Sequence, residues 1–340
     1  MGSDGEFERN KINKNSCARH DKMENREDIL RAAVKRIEED YSLCAYYIFR
    51  DGKRIILGNK DERVCRFCGR RKEDGVKFRH EAHALSNLIG NNRLFAYYEC
   101  DECNQKFSKY ENDFAEYFRL YHCILRVQGK RGVPTYKRYQ SRIDVDKSMV
   151  QINQMIDDPT LKCEVDEENK KVLITGYRTY VPVYVYKALL KMALTIMPEA
   201  ELENFENTIA FLNAENVEVK TQLPVLIQLY GKGYNVHNGI AAIILKRKAS
   251  SQNRVFSYSF ILAYNNFCLQ MPLLGSKLDQ FEGNEPVLFK ALPTPPAFDG
   301  YPIILNSCFD LRSSEKVKDE PVTITLSFSD VEKTEYITEN

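Results

Sequence analysis

Two Cys-x-x-Cys pairs, Cys65/Cys68 and Cys100/Cys103, constrain this chain more than any other feature of its sequence. Each short turn presents two sulfurs on one side, so the four thiolates can converge on a single tetrahedral ion, for which zinc is the natural occupant. Whatever lies between the pairs must then fold back on itself to bring them together. That interval holds His80 and His83, the one closely spaced pair among the five histidines. Four cysteines satisfy a zinc ion, which leaves the histidines for other work.

Lysine and arginine (49) almost balance aspartate and glutamate (48), for a formal net charge of +1 over 340 residues, so any argument for a nucleic-acid partner has to be local. No run of about 18 apolar residues and no apolar leader near Met1 is present, which predicts a cytoplasmic protein without a membrane partner. Beyond the two pairs, Cys17, Cys44, Cys123, Cys163, Cys268 and Cys308 are scattered, the pattern of small core residues in a reducing compartment.

In chain order, residues 1–24 are polar and without period, and read as a disordered tail. Residues 25–60 read as an N-terminal helix and hairpin. Ile29, Leu30, Ala33, Val34 and Ile37 share one helical face behind a capping Asn25, and Asp51-Gly52 separates two strand-like runs, Leu43–Phe49 and Arg54–Leu57. Residues 61–142 carry the metal stretch and a basic extension. Here Ala84–Ile89 is apolar and ends at a Gly90-Asn91-Asn92 turn, and Leu94–Glu99 runs extended into the second cysteine pair. A helix is predicted from Asn104 to about Tyr121, with Asn104, Ser108 and Glu111 along one face. Two strands and a helix, with a histidine on the first strand and a polar residue at the helix start, can hold a divalent ion against a phosphate while the histidine deprotonates water.

The order Cys-x-x-Cys, His, Cys-x-x-Cys-Asn resembles the HNH (ββα-metal) endonucleases, in the four-cysteine kind typified by phage T4 endonuclease VII. The stretch from Ala82-His83-Ala84-Leu85 to Leu88-Ile89-Gly90 is similar to that family's His-apolar pattern ending in glycine. The resemblance covers roughly 50 residues. It implies a structural zinc on Cys65, Cys68, Cys100 and Cys103, His83 as general base, and Asn104 as a ligand of a catalytic magnesium or manganese ion. The family places Asp, Glu or His immediately before the base, where this chain has Ala82. The second ligand then falls to Glu81 or His80, displaced along the chain, or to Glu111 from the helix. Asn91 and Asn92 are the nearest candidates for the asparagine that orients the base. Family members of this type are often components of bacterial restriction or anti-phage defence, and the resemblance implies such a role here.

Around this stretch the charge is locally positive. Arg70, Arg71, Lys72 and Arg79 precede the histidines, and Lys130, Arg131, Lys137 and Arg138 follow the helix with Tyr136 and Tyr139 among them. Such a surface binds phosphates through counterion release, without reading bases, and double-stranded DNA is the expected partner. Residues 143–330 look globular: a hairpin around Asp166–Asn169, a buried helix Val183–Met197 and an amphipathic one through Leu202, Phe205, Ile209 and Leu212. Strand runs follow at Leu223–Tyr230, Ile240–Leu245, Val255–Leu262 and Phe267–Met271, with a last one near Thr323–Phe328. This part carries no chemistry of its own and is read as an accessory domain for target sensing, DNA orientation or a protein partner. The expectation is an α+β protein, a zinc-stabilised ββα-metal (HNH) module plus a mainly antiparallel C-terminal α+β domain. Its predicted activity is hydrolysis of phosphodiester bonds. The alternative is a zinc-stabilised nucleic-acid-binding or adaptor module whose nuclease site has decayed.

Overall fold

The computed structural model describes residues 28–50, 52–146, 148–155, 158–215, 218–280 and 286–333. The tail predicted for residues 1–24, the capping Asn25 and Cys17 lie outside them. In chain order come helix α1 (28–40) and strands β1 (Tyr41–Phe49), β2 (Ile55–Leu57), β3 (Ala82–His83) and β4 (Leu94–Ala96). Helix α2 (Asp101–Ile124) is followed by β5 (Tyr136–Arg138), β6 (Ser141–Val145), β7 (Val150–Asn153), β8 (Leu161–Asp166) and β9 (Lys171–Tyr180). Helices α3 (Pro182–Ile196) and α4 (Glu206–Asn213) then lead into β10 (Pro224–Tyr230), β11 (Ile240–Arg247), β12 (Tyr258–Tyr264) and β13 (Phe267–Pro272). Helix α5 (Pro295–Phe298), β14 (Ile303–Asp310) and β15 (Val317–Ser327) complete the order. The fold class is mixed α+β with mostly antiparallel sheets, and no described helix is long and apolar enough to cross a membrane.

These elements form two compact units, neither of them continuous in sequence. The first unit takes residues 1–51, 197–208 and 224–309 and contains a six-stranded sheet of order β1-β11-β12-β13-β10-β14. Strands β12 and β13 are buried at every position. That is why they read in the sequence as near-continuous apolar runs and not as alternating ones. The tight turn at Tyr264-Asn265-Asn266 joins them as expected, with Asn265 in the left-handed region.

The hairpin predicted around Asp51-Gly52 does not form. Strand β1 pairs antiparallel with β11, Phe49 opposite Ile240, while β2 runs parallel to β4. The long-range apolar partners of β1 override the local turn signal, and the chain leaves the first unit at this very turn. Gly239 permits the β1–β11 closure: its φ is +132°, and a Cβ there would lie 2.0 Å from the Phe49 carbonyl oxygen.

The second unit takes residues 52–196, 209–223 and 310–340, so residues 143–196 fold with the cysteine stretch rather than with the six-stranded sheet. It holds three three-stranded sheets, β2-β4-β3, β5-β6-β7 and β15-β9-β8. The predicted hairpin around Asp166–Asn169 is present as β8 and β9. Helix α2 buries Phe107, Tyr110, Phe114, Tyr117 and Phe118, a stripe at helical spacing. Its C-terminal turn, through Leu120, Cys123 and Ile124, joins a core with Tyr136, Ile143, Leu161 and Ile174. Helix α3 is buried almost throughout, including Lys187 and Lys191. Of the scattered cysteines, Cys123 and Cys268 are core residues as expected, Cys44 and Cys163 are half-buried, and Cys308 is exposed.

His122 lies in the α2 core against the rings of Phe114 and Phe118, and burial pushes its imidazole down to about 3. Below pH 6.5 the unfolded chain takes up a proton that the folded chain refuses until about pH 3, so stability falls as pH falls through that window. Denaturant unfolding at pH 6.5 and 5 should show wild type losing about 2 kcal/mol more than His122→Phe. Equal losses would show that His122 is not held neutral.

Candidate functional site

The first cysteine knuckle is shaped by backbone bonds. Cys65 N–H donates to the Arg70 carbonyl (2.9 Å), and Gly69 N–H donates back to the Cys65 carbonyl (2.8 Å). Gly69 has φ +69°, a conformation open to glycine at little cost. The guanidinium of Arg66 donates to the carbonyls of Leu194 and Thr195 (2.9 and 2.7 Å), which ties the knuckle to the last turn of α3. The second knuckle is the start of α2, with Cys100 at the N-cap and Cys103 in the first turn.

The four sulfurs of Cys65, Cys68, Cys100 and Cys103 all lie within 4.8 Å of one another, and three of the residues are buried. A hydrogen bond from Cys103 holds the Cys65 thiol far below its usual range, at about 5, while burial pushes Cys100 up to about 12. Four sulfurs this close are a set that a divalent soft-ligand ion would complete, and these four residues could hold a structural zinc.

Helix α2 starts at Asp101, not at Asn104. The Asn104 N–H already donates to the Cys100 carbonyl (2.9 Å), so Asn104 is an intrahelical residue and not the first of the helix. Its side chain is thereby left to face outward. Asn104, Ser108 and Glu111 line a cleft of about 330 Å³ together with Asp101, Arg79 and His80. Asp101 closes one wall by accepting the backbone N–H groups of Arg79 and His80 (3.0 and 3.1 Å) and pairing with the Arg79 guanidinium (3.2 Å).

His83, on β3, is not part of the lining of this cleft. Its ring packs on Phe95 of β4 at a centroid distance of 4.6 Å, the residue it opposes across the strand pair. Nε2 is 3.2 Å from Nδ2 of Asn87, while Nδ1 is buried with no partner among the described residues. Burial pushes the imidazole below its ordinary value; the charge of Glu111 pulls it up, and Lys191 and Lys130 push it down. Asn91, read as the orienting asparagine, is instead a loop fastener. Its amide donates to the carbonyls of Leu85 and Leu94 (2.7 and 2.9 Å) and accepts from the N–H groups of Arg93 and Leu94 (3.1 and 2.9 Å). Asn92 is exposed. Asn87 is the side chain that touches the His83 ring, a contact its place within the mostly apolar Ala84–Ile89 run did not signal.

Of the candidate carboxylates, Glu81 is exposed and paired with Arg54, away from the cleft lining. Glu111 lines the cleft and accepts from the Ser86 hydroxyl (2.9 Å). Ala82 is buried and contributes only a methyl group. Among the basic residues, Arg70 pairs with Glu102, and Arg138 is bonded to Tyr177 and Thr179 within the fold. Arg71, Lys72, Arg79, Lys130, Arg131 and Lys137 are exposed.

Nothing in the residue pattern pointed to Lys191. This fully buried ammonium donates to the His83 carbonyl (2.8 Å) and sits 3.1 Å from Glu99 and 3.8 Å from Glu111. Burial would lower its affinity for a proton, but Glu99 and Glu111 raise it; burial in turn pushes Glu99 up to about 7. The next residue of α3, Met192, accepts the Ser86 N–H through its sulfur (3.3 Å).

No family model, no curated protein and no solved structure matches this chain.

Purified protein should contain about one zinc per chain. Cys100→Ser should lose it and lower the melting temperature, because metal binding and local folding are one equilibrium at such a site. Elemental analysis together with thermal unfolding reads both, and a zinc-free chain of undiminished stability would show that the four sulfurs hold no metal.

Proposed function

We propose that the chain is a metal-dependent endonuclease of the HNH type that hydrolyses phosphodiester bonds in nucleic acid, DNA foremost. The observation that carries this reading is a cleft lined by Asn104, Ser108 and Glu111 on the helix that begins at the four-cysteine cluster, with the charge of Glu111 felt by His83. The oxygen donors of Asn104, Ser108 and Glu111 suit a hard divalent cation.

The residues then divide the work. Nδ2 of Asn87 lies against Nε2 of His83, which fixes the ring in place, and the neutral imidazole would take the proton from water. The lowered proton affinity of His83 keeps the ring neutral, and so competent as a base, at neutral pH. Asn104 and Glu111 would hold a magnesium or manganese ion, which when bound supplies Lewis-acid stabilisation of charge on the phosphoryl and leaving oxygens. Lys72, Lys130, Arg131 and Lys137 offer sequence-independent contacts to phosphates. Arg138 and Arg70, committed within the fold, are better assigned to structure.

The second reading, a zinc-stabilised nucleic-acid-binding or adaptor module with a decayed nuclease site, draws on the buried Ala82 at the position where the family carries a ligand. The two readings part on cleavage. Supercoiled plasmid should be cut with Mg²⁺ or Mn²⁺ and not with EDTA, and His83→Ala should slow cutting by about 100-fold or more at unchanged zinc content. The rate should fall only below pH 6.5, where the lowered base becomes protonated, and be level at pH 7 and above. Equal cutting by His83→Ala would overturn the base assignment, and salt-sensitive DNA binding without any cutting would favour the binding module.

A further inference from the structure

Lys191 belongs to α3, outside the cysteine-histidine stretch, yet it touches both halves of the candidate site. Its ammonium reaches the carbonyl of the residue proposed as base (2.8 Å) and faces the carboxylate proposed as ion ligand (3.8 Å). Glu99, 3.1 Å away and itself fully buried, supplies the opposite charge that lets the ammonium stay inside. A lysine this deep in an apolar helix is costly to bury unless its charge is used. The neighbouring Lys187, by contrast, donates to the Ala214 carbonyl (2.6 Å) and lies over the rings of Tyr110 and Phe211, with none of the candidate site residues among these partners.

We infer that Lys191 is a positioning residue with two opposed effects, fixing the strand that carries His83 while weakening the hold of the cleft on its divalent ion. The inference rests on the nuclease reading above. Glu111 spends Oε2 on the Ser86 hydroxyl and turns Oε1 toward Lys191. An ion bound by Glu111 from the cleft therefore has a like-charged ammonium behind its ligand, in a buried setting where salt screens little. Taking the charge away relieves that repulsion. Taking the N–H away releases the His83 carbonyl and lets the base drift. A side chain that only props the fold would lose ion binding and turnover together, so the opposite signs distinguish the two roles.

The experiment compares Mn²⁺ binding, by titration calorimetry on the full chain, in wild type, Glu99→Gln, Glu99→Gln/Lys191→Met and Glu99→Gln/Lys191→Gln. Glu99→Gln is the parent because it removes the carboxylate that loss of Lys191 would strand. Relative to it, both double variants should bind Mn²⁺ about tenfold more tightly. At saturating Mn²⁺ the Met variant should cut plasmid about 100-fold more slowly, and the Gln variant, whose amide still donates toward the His83 carbonyl, should recover part of that rate. Zinc content should stay at one per chain throughout. Unchanged or weaker Mn²⁺ binding in the double variants, with zinc retained, would overturn the inference while leaving the nuclease reading standing. Should the Met variant fail to fold, the Gln variant alone decides the ion comparison. Wild type that binds no Mn²⁺, or binds it no differently after Glu111→Gln, would overturn the nuclease reading and this inference with it.

Discussion

The convergence of four sulfurs within 4.8 Å is the constraint on which the candidate site depends. Strands β3 and β4 are two and three residues long, too short to hold a geometry through their own ladder. Cys100 caps α2 and Cys103 lies in its first turn, so fixing the sulfurs fixes where the helix begins and which residues look outward. Asn104 follows directly from that register, and Ser108 and Glu111 follow from Asn104 by helical periodicity. The bonds of Asn91 across its loop do the equivalent work for His83, holding the return from β3 to β4.

Against this frame sits an unusually polar interior. Glu99 and Lys191 are both buried, and such a pair earns little net stability, because desolvating two charges offsets most of their attraction. The physical return lies in placement, since an ammonium with three partners from three segments tolerates only one arrangement of them. Ser86 couples the same parts a second time, through its hydroxyl to Glu111 and its N–H to Met192. The surroundings of His83 are therefore set by α3 as much as by the strands beside it.

The legible part of the molecule was whatever rests on local spacing. The cysteine pairs, the apolar stripe of α2, the buried α3 and the β8–β9 and β12–β13 hairpins are all written in short-range periodicity or turn chemistry. Asp51-Gly52 misled because a turn signal says nothing about which strands a segment can pair with, and β1 finds β11 far along the chain. The interleaving of the two units escaped for the same reason. Lys191 and Asn87 escaped for another: their contacts with His83 join segments that no spacing links, and a lysine in an apolar helix looks like an amphipathic edge until its burial is known. Glu81 and Glu111 were equivalent candidates in the sequence, and only the cleft separates them.

The most direct test of this account is where ions bind. Crystals of the chain soaked in Mn²⁺ and measured at the zinc and manganese absorption edges should show zinc among Cys65, Cys68, Cys100 and Cys103, and manganese between Asn104 and Glu111. Zinc in its place with no manganese in the cleft, or manganese bound only at Glu81, would contradict the proposed site.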